Sequence, residues 1–398
     1  MTTAIPALHR RQEHQRSAGV RAPAIDTWLV GTALLLLVLG VLMVFSASIS
    51  IADRQMGQPT YYLLRQSTYV LLGLLLAGIT ALLPLRLWQK AAAMLLMCGF
   101  CLLVLVLIPG IGRAVNGSYR WIMLGVVNLQ VSELVKLFVV IYLADYLVRR
   151  GDEVRSSARG FFKPMLLLSL LGVLLMLEPD FGATVVMVAT ALGMMFLGGA
   201  RLWQFLALIM LVLASLAALA VFSPYRLQRL TGFLDPWADP FNSGFQLTQA
   251  LIAFGRGEWF GVGLGGSIQK LFYLPEAHTD FVFAVLAEEL GLVGAVSVIA
   301  LFTVMIWRAF AIGRLAERAG QAFAAYLAYG LGLWIGLQAY INIGVNMGVL
   351  PTKGLTLPLM SYGGSSIVVM CIAVALLQRV YHEAKEHASS ARSQGRGS

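Results

Sequence analysis

In a chain of 398 residues, 59% are hydrophobic and only 12% are charged, with a mean hydropathy of +0.80. That is more apolar surface than a water-soluble core can absorb. The formal net charge of +10 would suggest nucleic acid in a soluble protein, but in a polytopic membrane protein cationic loops set orientation, and no nucleic-acid partner is expected.

Residues 1–27 are polar and basic, with Arg10, Arg11, Arg16 and Arg21, and are expected to form a poorly ordered cytoplasmic tail. The apolar run from Trp28 to Phe45 is longer than a signal-peptide core, so it reads as an uncleaved first span despite the small residues Ser46-Ala-Ser48 after it. Further spans are expected at 61–83, 91–108, 129–147, 164–178, 183–199, 203–222, 280–306, 322–345 and 358–378. The fold class is therefore all-α: a ten-helix membrane domain over 28–379, followed by a second tail over 380–398. The break Glu178-Pro-Asp180-Phe-Gly182 puts a proline and two acids between apolar runs, which makes the fifth boundary the least defined.

With the N-terminus inside, the inner segments carry more than twice as many of the 29 Lys and Arg residues as the outer segments, which places both termini in the cytoplasm. Only Arg65 and Lys136 fall inside spans. The longest outer segment, 223–278 between spans seven and eight, is the expected recognition element. Its Arg226, Arg229, Arg256 and Lys270 are offset by Asp235, Asp239, Glu258 and Glu276, so it should recognise by shape rather than by bulk charge. Cys98, Cys101 and Cys371 lie in apolar runs and are read as packing residues, with no disulfide or zinc site.

Polar groups cluster at the outer ends of the spans. Asp280 ends a polar loop, Tyr273-Leu-Pro-Glu-Ala-His278-Thr-Asp280, where it enters an apolar helix. An ionised group at such a border is a site candidate by default. The competing reading makes Thr279 or Asp280 the N-cap of that helix. Arg120 precedes the fourth span. Glu133 and Lys136, three residues apart within it, share a helical face and can pair with each other or meet a ligand. Lys353 and the hydroxyls of Ser361, Ser365 and Ser366 enter the tenth span through a glycine-rich stretch that suits an anionic, hydroxyl-rich substrate. The alternative there is a tight helix crossing at Gly363 and Gly364. Asn342 and Asn346 share a face of span nine, as interhelical glue or as cavity lining. No Walker A loop, H-E-x-x-H or G-x-S-x-G elbow is present, which argues against ATP-driven chemistry in this chain.

Three segments in combination, Tyr-Leu-Pro-Glu-Ala-His-Thr-Asp-Phe at 273–281, Ala-Glu-Glu-Leu-Gly at 287–291 and Ser-Tyr-Gly-Gly-Ser-Ser at 361–366, resemble the SEDS family (shape, elongation, division and sporulation). The match runs from about Trp28 to Arg379. Ala253-Phe-Gly-Arg-Gly-Glu258 and Gln269-Lys270 look more like its division branch than its elongation branch. The resemblance implies an inverting peptidoglycan glycosyltransferase that polymerises lipid II in the bacterial cytoplasmic membrane at the division septum. It also implies a class B penicillin-binding protein as cross-linking partner, alongside other division-complex membrane proteins.

The family's essential aspartate falls on Asp280, its fourth-span acid and base on Glu133 and Lys136, and the acid of its Glu-Pro-Asp motif on Asp180. Arg120, His278, Lys353 and the three serines join these as substrate contacts. Asn128 stands where some division members carry a base, so Arg120 or Lys136 must supply that charge. A divalent cation, Mg or Mn, would help to neutralise the donor's pyrophosphate, though no metal-ligand spacing marks its site. The rival classes are a lipid II flippase and a non-catalytic division scaffold. A transporter should carry polar groups at both membrane depths and internal repeats, whereas the polar groups here concentrate on the outer side.

Overall fold

The computed structural model describes residues 24–394 apart from 116–117, 125–126, 208–209, 211–234, 243, 272 and 352–353. Helix α1 (Thr27–Met56) opens where the Asp26 carboxylate accepts the Leu29 N–H at 3.0 Å, and closes at Gly57 in the left-handed region. Pro84, unable to continue a helix, separates α2 (Tyr61–Leu82) from α3 (Leu85–Leu107).

The chain next forms a three-stranded antiparallel sheet, β1 (Gly112–Val115), β2 (Ser118–Leu124) and β3 (Val127–Gln130), in the order β1-β2-β3. Trp121 faces Gln130 across it, and Ile122 faces Leu129. The sequence reading has no strands here, because runs this short give little alternation to read.

The remaining helices are α4 (Val131–Ser156), α5 (Ala158–Leu177), α6 (Phe181–Leu197), α7 (Phe245–Gly257), α8 (Val282–Arg318), α9 (Ala322–Asn346) and α10 (Gly364–Gln394). Among the described residues, α1, α2, α3, α5, α8, α9 and α10 are long and apolar enough to cross a membrane, and α6 is a shorter apolar helix. The protein is a mainly helical, multi-pass membrane protein. The expected seventh span, 203–222, lies mostly outside the described residues, as does the first part of the 223–278 segment. The tenth helix starts at Gly364 rather than at 358, leaving a non-helical strap ahead of it.

Helix α9 runs through the middle of the bundle, buried along most of its length and packed on α4, α6, α8 and α10. Helix α10 lies against α2, and a Cβ built on Gly364 would sit 2.5 Å from the Tyr69 ring, so the tight-crossing reading holds at that glycine. Cys98 and Cys101 are exposed on α3 rather than packed inside, and Cys371 is buried; all three are free.

Helix α8 is broken at Gly291, whose φ of 66° suits only glycine. The segment after α7 fills the break. Val262 and Gly263 N–H groups donate to the carbonyls of Glu288 and Glu289 at 3.0 and 3.1 Å, while Leu292 and Val293 N–H groups donate to Glu258 and Trp259 at 2.9 and 3.1 Å. Irregular backbone at membrane depth is stable only when protein satisfies it in this way.

Candidate active site

Five elements meet beside Asp280: the loop before α8, the α5–α6 turn, strand β2, the strap ahead of α10, and the end of α9. Neither Thr279 nor Asp280 caps α8. The helix begins at Val282 with Phe281 in the cap position and no side-chain cap bond there, and the Thr279 hydroxyl bonds back to Glu276. Capping falls to α9 instead. Asn346 Oδ1 accepts the Ala284 N–H at 3.1 Å, and its Nδ2 donates to the Asp280 carbonyl at 3.0 Å. Asn342 Nδ2 donates to the same carbonyl at 2.9 Å and also to the Leu355 carbonyl. The paired asparagines are glue, and what they fix is the backbone of Asp280.

With its backbone held, the Asp280 side chain is left unengaged: no hydrogen bond reaches its carboxylate from the described residues. The strap passes so close that a Cβ on Gly354 would lie 3.1 Å from Asp280 Oδ2. Burial raises the Asp280 pKa to about 7; the charges of Glu276 and Asp180 push the same way, and Arg120 opposes them. A carboxylate poised near neutrality is suited to general-base work.

Arg120 reaches from β2 to the α5–α6 turn, donating from Nε to the Glu178 carbonyl at 3.1 Å and from its terminal nitrogen to the Pro179 carbonyl. It is half-buried and close enough to lower the pKa of both Asp280 and Glu178. The backbone carbonyl of Asn128 accepts the Ser365 hydroxyl at 2.8 Å.

Asp180 is buried and serves structure. Its Oδ1 caps α6 at the Ala183 N–H, 3.2 Å away, and its Oδ2 accepts the Ser132 hydroxyl at 2.8 Å. Glu178 beside it has both carboxylate oxygens buried without a partner among the described residues, and burial next to Asp180 raises its pKa to about 8, so it is mostly protonated at neutral pH. In the sequence Glu178 is visible only as part of the break before α6.

Several predicted substrate contacts turn inward. Lys136 is 1% exposed and donates to Glu133 at 2.8 Å and to Gln338 Oε1 at 2.7 Å. Trp334 Nε1 donates to the same Gln338 oxygen at 3.0 Å, and Gln338 Nε2 reaches the Thr356 carbonyl at 3.1 Å. Lys136 therefore joins α4 to α9 and, through Gln338, to the strap; the pairing expected from its spacing is present, but its ammonium is already committed. Ser361 accepts the Leu357 N–H at 2.8 Å, Ser365 accepts the Gln130 N–H at 2.8 Å, and Ser366 shares a 2.9 Å bond with Thr356. All three serines are buried and hold the strap in place rather than facing an open site. Lys353 lies outside the described residues.

His278 is buried between Tyr62 and Tyr362, with ring centroids 4.7 and 5.5 Å away, and burial lowers its pKa, favouring the neutral ring at pH 7. It braces the loop and supplies no cation.

Glu288 and Glu289 carry a tether whose partners their sequence motif alone does not reveal. Glu288 receives Arg256 at 2.7 Å, the Ser267 hydroxyl and the Ile268 N–H. Glu289 receives Ser46 at 2.6 Å and Lys270 at 2.7 Å. Two adjacent acids inside an apolar run are the signal for such a tether. Arg256 and Lys270, expected to contribute to the outer segment's charge, are spent on it.

Comparison with known proteins agrees with this architecture. Residues 26–386 match the cell cycle protein family FtsW/RodA/SpoVE. The "Probable peptidoglycan glycosyltransferase FtsW" of Nitrosococcus halophilus is 65% identical over 92% of this chain and 94% of its own length. The relative of the same name from Thioalkalivibrio sulfidiphilus is 60% identical over 92% and 91%. A solved structure, described as showing the structural coordination of polymerization and crosslinking by a peptidoglycan synthase complex, aligns with a TM-score of 0.75 at 32% identity, covering 91% of this chain and 98% of that one. The rod shape determining protein RodA of Thermus thermophilus aligns with a TM-score of 0.65 at 31% identity, covering 90% and 97%.

Proposed function

The chain belongs to the FtsW/RodA/SpoVE family, and from that membership we infer that it is a peptidoglycan glycosyltransferase of the division type, polymerising lipid II in the bacterial cytoplasmic membrane at the septum. One observation carries the mechanism: a carboxylate free of hydrogen bonds to the described residues, with a pKa of about 7, on a backbone held by two asparagines and beside a cation.

Asp280 takes the proton from the acceptor hydroxyl as that oxygen forms its bond to the donor's anomeric carbon, and the bond to the lipid diphosphate breaks with inversion. The diphosphate leaves with the bonding electron pair, and Arg120 is the described cation placed to offset that charge. Glu133, Lys136 and Asp180 act by holding α4, α6, α9 and the strap in register. Among the described residues no group of three or more His, Cys, Asp or Glu side chains is arranged to hold a metal; a divalent cation, Mg or Mn, would help to neutralise the donor's diphosphate.

We further infer ten spans, both termini cytoplasmic and the 223–278 segment outside. The inferred cross-linking partner is a class B penicillin-binding protein, a reading supported by the similarity to a synthase complex that couples the two reactions. The test is product analysis with purified protein, that partner and labelled lipid II. Glycan ladders are expected; transfer of intact lipid II between leaflets without polymer would favour a flippase.

A further inference from the structure

At the far end of α8 from Asp280, on the order of 40 Å along the helix, α8 and α10 enclose a cleft of about 480 Å³. Its walls carry Arg308, Arg314, Arg318 and Lys385, its floor includes Leu315, and Tyr381 stands beside Lys385, whose ammonium is 5.0 Å from the ring centre. Among the described residues no carboxylate lines it. The acids in the surrounding elements are already engaged: Asp26 with Arg308, Glu317 with the Tyr329 hydroxyl at 2.8 Å, Glu383 with Arg379 at 2.8 Å, and Glu386 with His382 at 3.4 Å. Arg314, Arg318 and Lys385 are exposed, and among the described residues none has a carboxylate within ion-pair distance.

The positive-inside rule accounts for cations at this end of the bundle, but not for their gathering around one concave site with an aliphatic floor. Trp307, exposed next to Arg308 and 5.2 Å from its guanidinium, is the kind of residue that marks the level of lipid headgroups.

We propose that this cleft binds the headgroup of an anionic phospholipid, the phosphate meeting Arg314, Arg318 and Lys385 and an acyl chain leaving over the Leu315 side. The chemistry is that of a basic pocket between membrane helices at the headgroup level. A soluble acidic segment would satisfy the same charges but has no use for the apolar floor or for the flanking tryptophan. The site lies at the opposite end of the bundle from Asp280 and stands apart from the catalytic reading.

The experiment measures binding of fluorescent phosphatidylglycerol to the purified full chain in neutral detergent. Phosphatidylcholine, inorganic phosphate and polyglutamate serve as competitors. The variant R314Q/R318Q/K385Q should lose about tenfold or more in affinity, since each cation near an anionic surface contributes measurably. The control R86Q/K90Q/R159Q, which removes exposed cations elsewhere on the basic segments, should lose less than about twofold. Arg318→Gln alone should show part of the loss, and it covers the case in which the triple variant fails to fold. Equal loss in both triple variants, or equal competition by phosphatidylcholine, overturns the site. Displacement by inorganic phosphate alone makes it a free-phosphate site, and tighter polyglutamate binding lost in the cleft variant makes it a protein-docking site; either result refutes the lipid assignment.

Discussion

Asp280→Asn separates chemistry from architecture, because the fold uses the backbone of Asp280 and not its carboxylate. Asn342 and Asn346 bond its carbonyl, Asn346 caps α8, and no described residue bonds its side chain, so the amide should leave expression, membrane insertion and thermal unfolding unchanged. Activity should fall by roughly 10²–10⁴-fold, the range a positioned general base supplies. The pH profile gives a second reading. With a pKa of about 7, the reactive carboxylate form rises from roughly a tenth at pH 6 to nine tenths at pH 8, so the wild-type rate should climb about tenfold across that window as the base loses its proton. The residual rate of the variant should lack that limb. The assay is polymerisation of labelled lipid II with the cross-linking partner present. A variant that polymerises at near wild-type rate, or a wild-type rate flat from pH 6 to 8, would refute the general-base assignment.

Lys136→Met strands a buried Glu133 carboxylate and should cost about 3–5 kcal/mol of stability, much of it recovered in E133Q/K136M; thermal unfolding that does not distinguish the single from the double variant would contradict the pairing. Reversing both charges should not rescue, since a carboxylate at 136 would face the Gln338 oxygen that now accepts from Lys136, and recovered activity in E133K/K136E would show that the network tolerates either polarity. Gly291→Ala should destabilise by at least about 1–3 kcal/mol, because φ is 66° and the new methyl carbon would lie 2.4 Å from the Gly261 nitrogen; an unchanged melting profile would speak against the break. Lys270→Met should raise hydrogen exchange over 257–270 by freeing one side of the Glu289 tether, and unchanged exchange there would remove Lys270 from that role.

Membrane class and most spans were legible because long apolar runs are a strong signal, and Asp280 stood out as an acid at the mouth of one. Glu133 and Lys136 were legible as a pair from their spacing, but their orientation was not, since Gln338 lies two hundred residues away and nothing local announces it. The serines at 361, 365 and 366 read as ligands from sequence for the same reason: their partners Leu357, Gln130 and Thr356 become visible only in the fold. Asn342 and Asn346 show the limit most sharply, because helical period puts both on one face while only the folded bundle brings the Asp280 carbonyl to them.

The break in α8 has a mechanical consequence. The four backbone bonds around Gly291 weld the segment after α7 to α8 on both sides of the break, two to the turn before it and two to the turn after it, and at membrane depth they cannot be exchanged for bonds to water. Gly291 is therefore a splinted joint rather than a free hinge, and the arm should hold the two halves of α8 together as one body, with Asp280 anchored at its outer end by Asn342 and Asn346.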